Sequence, residues 1–245
     1  MKHTLIGLAL AAAAGSAAAQ APTIATDRPD FVESSQTVGA HRFQFETSVS
    51  SDVTRGGGLR TTVWGSPTLL RYGVSERVEL RLETDGLQHH STSTGFADVA
   101  LGIKWSLAPN AAVLIHADLP SGSTEFRGRG VRPSIRPVAE WELPWNMSLG
   151  VMPGLIYDED DLGRRFVTGL FGATVGKAWT ETFRIFVEFS AQEIKPRAYG
   201  DDVITYDVGA AYLLRRNWQL DAAVSFGSGA APNVSYTLGL SAVLP

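Results

Sequence analysis

Two adjacent histidines, His89 and His90, and an acidic run, Asp158-Glu159-Asp160-Asp161, are the residues that most invite a metal ion. Neither has ligand geometry: no further ligand types flank the histidines, and the run lacks the glycine and spacing of a calcium loop. Exposed loop histidines and a solvated acidic tip explain both. His116 stands on a polar face with Asp118, opposite Val113, Ile115 and Ala117. Gly56-Gly57-Gly58 reads as a flexible loop, not a phosphate cradle, because no helix follows it. No metal and no cofactor is implied.

What remains is a ladder of opposite charges at regular spacing: Arg42 and Glu46; Arg77, Glu79, Arg81 and Glu83; Arg132, Arg136, Glu140 and Glu142; Arg184 and Glu188. Apolar residues fill the positions between them, as Val78, Leu80 and Leu82 do in one segment and Ile185 and Val187 in another. A period of two is the signature of a strand with one apolar and one polar face, and no amphipathic helix follows the first residues. Ala97–Trp105 and Trp218–Phe226 repeat the pattern. It predicts about twelve strands, near 41–50, 60–71, 76–86, 95–106, 111–119, 132–143, 146–157, 165–178, 182–193, 203–214, 217–227 and 233–244. Thr61–Arg71 is the least regular, because Pro67 interrupts it.

The connections between these strands alternate in length. Residues 51–59, 86–94, 120–131, 158–164, 195–202 and 227–233 make long polar ones; 72–76, 107–111, 143–146, 178–182 and 213–216 make short ones. A soluble sandwich has no reason for such alternation, whereas an outer-membrane barrel has long external loops and short periplasmic turns. Trp105, Trp141, Trp145, Trp179 and Trp218 all lie beside short turns, with only Trp64 elsewhere, as an aromatic girdle at one membrane interface would require. The fold expected is all-β: a transmembrane up-and-down antiparallel barrel over residues 41–245. The apolar faces meet outer-membrane lipid and the charged faces meet a wet lumen.

Residues 1–19 carry a basic head (Lys2, His3), a short apolar run and the small residues Ala17-Ala18-Ala19, the anatomy of an export signal. Its loss would leave 20 basic residues against 25 acidic ones. That balance argues against a nucleic-acid partner. The absence of cysteine excludes a disulfide framework and cysteine-based zinc. Residues 20–40 form a leader, and Thr26–Val38 within it is polar, broken by proline and charged at Asp27, Arg28, Asp30 and Glu33. Two readings stand for it: a plain periplasmic tether, or a partial plug whose charges pair with the ladder.

Particular segments carry a family resemblance. Asp27-Arg28-Pro29-Asp30, Glu33-Ser34 and Arg42-Phe43-Gln44-Phe45-Glu46 resemble the opening of the MetA-pathway phenol-degradation family of outer-membrane proteins. Tyr72–Glu83, Asp98–Trp105 and Ala117–Ser123 are similar to it further on. The resemblance implies a transporter-like barrel in a Gram-negative outer membrane and a link to aromatic catabolism. Passive passage of small solutes, aromatic or hydrophobic compounds among them, is the function expected, with the ladder as the polar constriction. Two rivals are a barrel enzyme acting on lipids, which needs a serine–histidine pair near the headgroups, and a soluble periplasmic β-sandwich that binds a ligand.

Overall fold

Alternation becomes strand wherever the sequence shows it. The computed structural model describes residues 23–160 and 162–244; the export signal read over residues 1–19, the start of the leader, Asp161 and Pro245 lie outside the described residues. Within them the strands are β1 (Phe43–Gly56), β2 (Leu59–Gly65), β3 (Thr68–Gly73), β4 (Val78–Thr84), β5 (Leu87–His90), β6 (Ser93–Phe96), β7 (Val99–Ala108) and β8 (Ala111–Leu119). They continue with β9 (Arg132–Leu143), β10 (Met147–Glu159), β11 (Arg165–Ala178), β12 (Phe183–Ile194), β13 (Val203–Arg215), β14 (Trp218–Gly229) and β15 (Val234–Leu244).

Each strand pairs antiparallel with its neighbours, and β15 returns to β1 from Phe43↔Leu244 to Val53↔Val234, closing the sheet. Three staves of the barrel are broken into two pieces, β2 with β3, β4 with β5, and β6 with β7, so the wall has twelve staves. Pro67 makes the first break, at the position where the sequence pattern was least regular. Closure leaves no free edge in the wall, which a lipid-embedded sheet requires.

Two of the long connections are not loops. Residues 51–59 continue β1 through a two-residue turn at Gly57 and Gly58, with φ of +58° and +80°, into β2. Only glycine and a few polar residues adopt two successive positive φ values cheaply, so Gly56-Gly57-Gly58 is the turn of a tall hairpin and not a flexible loop. Residues 86–94 form the β5–β6 hairpin beside it, with His89 and His90 exposed on β5.

The pattern of exposure is that of a soluble protein turned inside out. Leu238 is 65% exposed, Val187 53% and Leu80 48%, while Arg71 and Lys104 are 0% exposed. Charged residues are almost never fully buried in a water-soluble fold, and rows of exposed Leu, Ile and Val are as unfavourable there. Lipid outside and polar partners inside reverse both statements. Trp105, Trp141, Trp145 and Trp179 stand exposed at the short-turn end, and Tyr157, Tyr206 and Tyr236 at the other, as two interface girdles.

Candidate functional site

The inner wall is polar because its strands present every second residue to the lumen. On β1 these are Gln44, Glu46 and Ser48; on β3, Arg71; on β4, Glu79, Arg81 and Glu83; on β7, Lys104. Register places Gln44 beside Arg71, Arg71 beside Arg81, and Glu79 beside Lys104. Arg71 bonds Glu79 at 2.9 Å and Glu46 at 3.0 Å, and Arg81 bonds Glu79 at 2.8 Å.

The leader lies inside this wall. It is tied at Ile24, whose N–H donates to Arg216 O at the short-turn end, runs inward, turns at residues 28–32 and comes back to Glu76 beside the same end. A chain segment without secondary structure must find partners for its backbone donors once water is excluded. Four wall carboxylates supply them. Glu46 accepts from the N–H groups of Asp27 and Arg28, both at 2.9 Å; Glu188 from Phe31 at 2.7 Å and Val32 at 2.8 Å; Glu140 from Ser35 at 2.6 Å; and Glu79 from Val38 at 2.9 Å. Gln44 and Arg71 both donate to Ala25 O.

The wall cations take the leader's own acids. Asp27 sits between Arg81 at 2.5 Å, Lys104 at 2.7 Å and Arg71 at 3.3 Å. Glu33 pairs with Arg81 at 2.5 Å and faces Arg136 at 3.6 Å; Asp30 faces Arg184 at 3.3 Å. Burial alone would raise the Asp27 carboxyl, but the charges of Arg71, Lys104 and Arg81 outweigh it and hold the group well below the usual carboxylate range. Charges this deep are tolerable only when paired and hydrogen-bonded, and here Arg71, Arg81 and Lys104 each have more than one carboxylate or carbonyl.

One patch of the lumen wall is different in kind. Ala112 and Leu114 of β8, Val138 of β9 and Met152 of β10 form a buried apolar patch, and the leader's Phe31 and Val32 pack on it. The leader is therefore clasped by charge on one side and by hydrophobic contact on the other.

Of the residues read from the ladder, Glu46, Glu79, Arg81, Glu83, Arg136, Glu140, Arg184 and Glu188 face the lumen. Arg42 is half-buried at the short-turn mouth, and Arg77 is exposed in a turn, outside the constriction. Glu142 is likewise exposed, while Arg132 joins an outer cluster with Asp158 at 2.7 Å and Glu193 at 2.7 Å. Arg71 and Lys104 were not in the ladder although they carry its centre. Arg71 follows the Pro67 break, and the signal that finds it is its mirror position to Arg81 across the Tyr72–Glu76 turn.

His116 is buried on the lumen face, its ring lying over Gly102, where a methyl group would stand 1.9 Å from His116 Cδ2. Glu33, Glu83 and His116 bring one donor atom each within 4.8 Å of one another, but Arg81 already neutralises Glu33, so the group belongs to the charge network. Asp160 is held by Arg164 at 2.6 Å in its own loop, and His89 by Thr94 at 2.7 Å.

Beyond the leader's tip lies a cavity of about 290 Å³ reached by Arg28, Phe31, Glu83, Asp85, Arg136 and Glu188. A separate outer cavity of about 990 Å³ is lined by Arg127, Arg129, Arg132 and Lys195 with Asp158, Glu159 and Glu193.

A closed barrel of twelve staves has relatives. The family model described as MetA-pathway of phenol degradation matches residues 26–243. The chain belongs to that family. None of the curated proteins matches it in sequence. Among solved structures, it is similar to the COG4313 outer membrane channel from Pseudomonas putida F1, with 12% identity over 85% of this chain and 97% of that one and a TM-score of 0.64. The KdgM porin shares 13% identity over 81% of this chain and 98% of its own, with a TM-score of 0.52. The beta domain of the Bordetella autotransporter Brka shares 13% over 82% and 98%, with a TM-score of 0.54. At these identities the likeness concerns the fold, and the fold is that of outer-membrane barrels. The family member described here is an outer-membrane β-barrel, and its similar structures are named as a channel, a porin and an autotransporter domain, not as enzymes.

Proposed function

We propose that this barrel passes small solutes passively across the outer membrane, with the leader as a partial plug that narrows the path. The observation that carries this reading is the lumen itself: a charged wall with a docked leader and cavities beyond it. A structural rod or anchor would need neither the cavities nor a wet interior. Glu83, Arg136 and Glu188 line the space beyond the leader, and in this reading they select solutes by charge and size, while Glu46, Glu79, Arg81, Glu140 and Arg184 hold the plug. Family membership supports small aromatic or hydrophobic compounds as the solute class.

Catalysis is not part of this reading. A lipid-modifying barrel needs its histidine at the headgroup level of the outer surface, and His116 is buried in the lumen. The test is conductance of the refolded protein in planar bilayers, with and without phenolic solutes. Small ion steps that phenol interrupts are expected. A refolded, heat-modifiable barrel that passes neither ions nor phenol would overturn the reading.

A further inference from the structure

Most carboxylates around the leader's tip have fixed partners, but three do not. The cavity of about 290 Å³ there is bordered by seven carboxylates and three guanidiniums. Asp27 and Glu33 pair with Arg81, Asp30 faces Arg184, and Glu188 accepts two leader N–H groups. Glu83, Asp85 and Asp207 remain, and none has an ion-pair partner among the described residues. Asp207 is the decisive one. It is 8% exposed; its Oδ2 accepts from Thr205 Oγ1 at 2.8 Å, and its Oδ1 receives no hydrogen bond from a described residue. A carboxylate this deep is costly unless a cation or further donors meet it.

The cations at hand are committed elsewhere or fall short. Arg81 and Arg136 face Glu33, and Arg28, at the leader's turn, reaches only Ser48 Oγ at 3.4 Å. The wall behind Asp207 adds none: across β13, β14 and β15 the acids are Asp207 and Asp221, and the only basic residue is Arg215, the last of β13. Asp221 repeats the condition of Asp207. It is 3% exposed, and neither carboxylate oxygen is bonded by a described residue. A methyl group at Gly239 would stand 2.2 Å from its Oδ1, so β15 leaves the space in which that carboxylate lies. By sheet order β13 stands across the lumen from β4, whose Glu83 and the following Asp85 close an acidic ring. The ring is not polar throughout: Phe31 and Leu69 border the same cavity.

We propose that this cavity is a binding site for small ring-bearing ammonium ions, with Asp207, Glu83 and Asp85 meeting the charge and Phe31 and Leu69 meeting the ring. The proposal rests on the channel reading and deepens it, because it names the charge of the preferred solute. A primary ammonium group is a compact donor of three hydrogen bonds, matched to carboxylates that lack donors. An aromatic face attracts the same cation, and an apolar surface takes its body. The volume lies just below the usual range of ligand pockets, about 300–1,000 Å³, which suits one ring rather than several. Arg28 carries the sign of the solute and borders the same cavity, so it opposes binding.

The experiment compares benzylammonium, benzyl alcohol and benzoate, which share a ring and differ in charge, on the refolded full-length barrel in planar bilayers at neutral pH. Benzylammonium is expected to interrupt the ion current at a concentration about tenfold lower than either of the others. Asp207→Asn should raise that concentration about tenfold. Its amide oxygen still accepts from Thr205, and heat-modifiable gel mobility reports that the variant is folded. Arg28→Gln should lower the concentration, a gain that a merely damaged lumen would not give. Titration calorimetry of the same proteins separates binding from conduction. A wild type that conducts but binds the three probes alike overturns the ammonium site and leaves the channel reading intact. Binding unchanged in Asp207→Asn, or weakened in Arg28→Gln, does the same. Block by calcium chloride without block by benzylammonium assigns the acids to a metal ion and also overturns the site. A barrel that conducts nothing yet binds benzylammonium overturns the channel reading and keeps the binding site.

Discussion

The two sides of the lumen hold the same leader by opposite physics. On the β1–β3–β4–β7 side, Asp27 and Glu33 meet Arg71, Arg81 and Lys104 in a fully buried charge cluster. On the β8–β9–β10 side, Phe31 and Val32 lie on Leu114, Val138 and Met152 with no charge between them. The charged side is directional and intolerant: each group has fixed partners, and losing one strands the others. The apolar side is non-directional and gives way gradually.

Several measurements would break or sharpen that contrast. Asp27→Ala carries the largest expected effect, about 3–5 kcal/mol against leader docking, because three buried cations lose a shared anion. Protease cleavage of the leader in the folded barrel reports it, and unchanged resistance would show that the charges do not grip. Next come Leu80→Arg and Val187→Arg on the lipid face, each expected to oppose insertion by about 2–4 kcal/mol near the midplane, read from the denaturant midpoint in lipid. Simple alternation would make the neighbouring lumen glutamates indifferent to amide substitution. The structure predicts otherwise for Glu188→Gln: both carboxylate oxygens accept a leader N–H, so the amide leaves one donor unmet, at about 1–3 kcal/mol. Val32→Ala should be smallest, about 1 kcal/mol of lost burial. If Val32→Ala frees the leader as readily as Asp27→Ala, the two sides do not differ.

A pH series adds a sign. Asp27 in the docked leader has its carboxyl held below the value of the free chain, about 3.9. Its contribution to docking is therefore fully present above about pH 4 and is lost only as pH falls through the lower, docked value. Asp30 is pushed up by burial against the pull of Arg184. A raised acid favours docking as pH falls toward its free value, the opposite sense to Asp27. The leader should therefore stay docked from pH 8 to about pH 5, and its release in that range, read by protease cleavage, would contradict the assignment of Asp27.

Much of the fold was legible because the environment enforces a strict rule. Lipid on one face and water on the other hold alternation strictly, so β12 can be read from Phe183 to Ser190 residue by residue, up to the register shift after Ala191. The broken staves were harder. Pro67 hid the phase of β3, and Arg71 went unnoticed behind it. The tall hairpins at residues 51–59 and 86–94 looked like loops because above the membrane neither face is apolar. The site was only half legible. The ladder glutamates were visible, but not that Glu46, Glu79, Glu140 and Glu188 would accept backbone N–H groups from the leader. Those partners lie up to 157 residues away in a segment with no period to betray its path.

The central claim is that the leader occupies the lumen and limits what passes. Single-channel conductance of the full-length barrel and of one lacking residues 22–38 tests it most directly, across a salt series. No strand is removed, so both should fold. The truncated barrel should conduct more and shift toward anions, since the leader takes three carboxylates and one guanidinium with it. The difference should narrow at high salt, as screening loosens the leader of the full-length protein. Equal conductance and equal selectivity at every salt concentration would contradict the account.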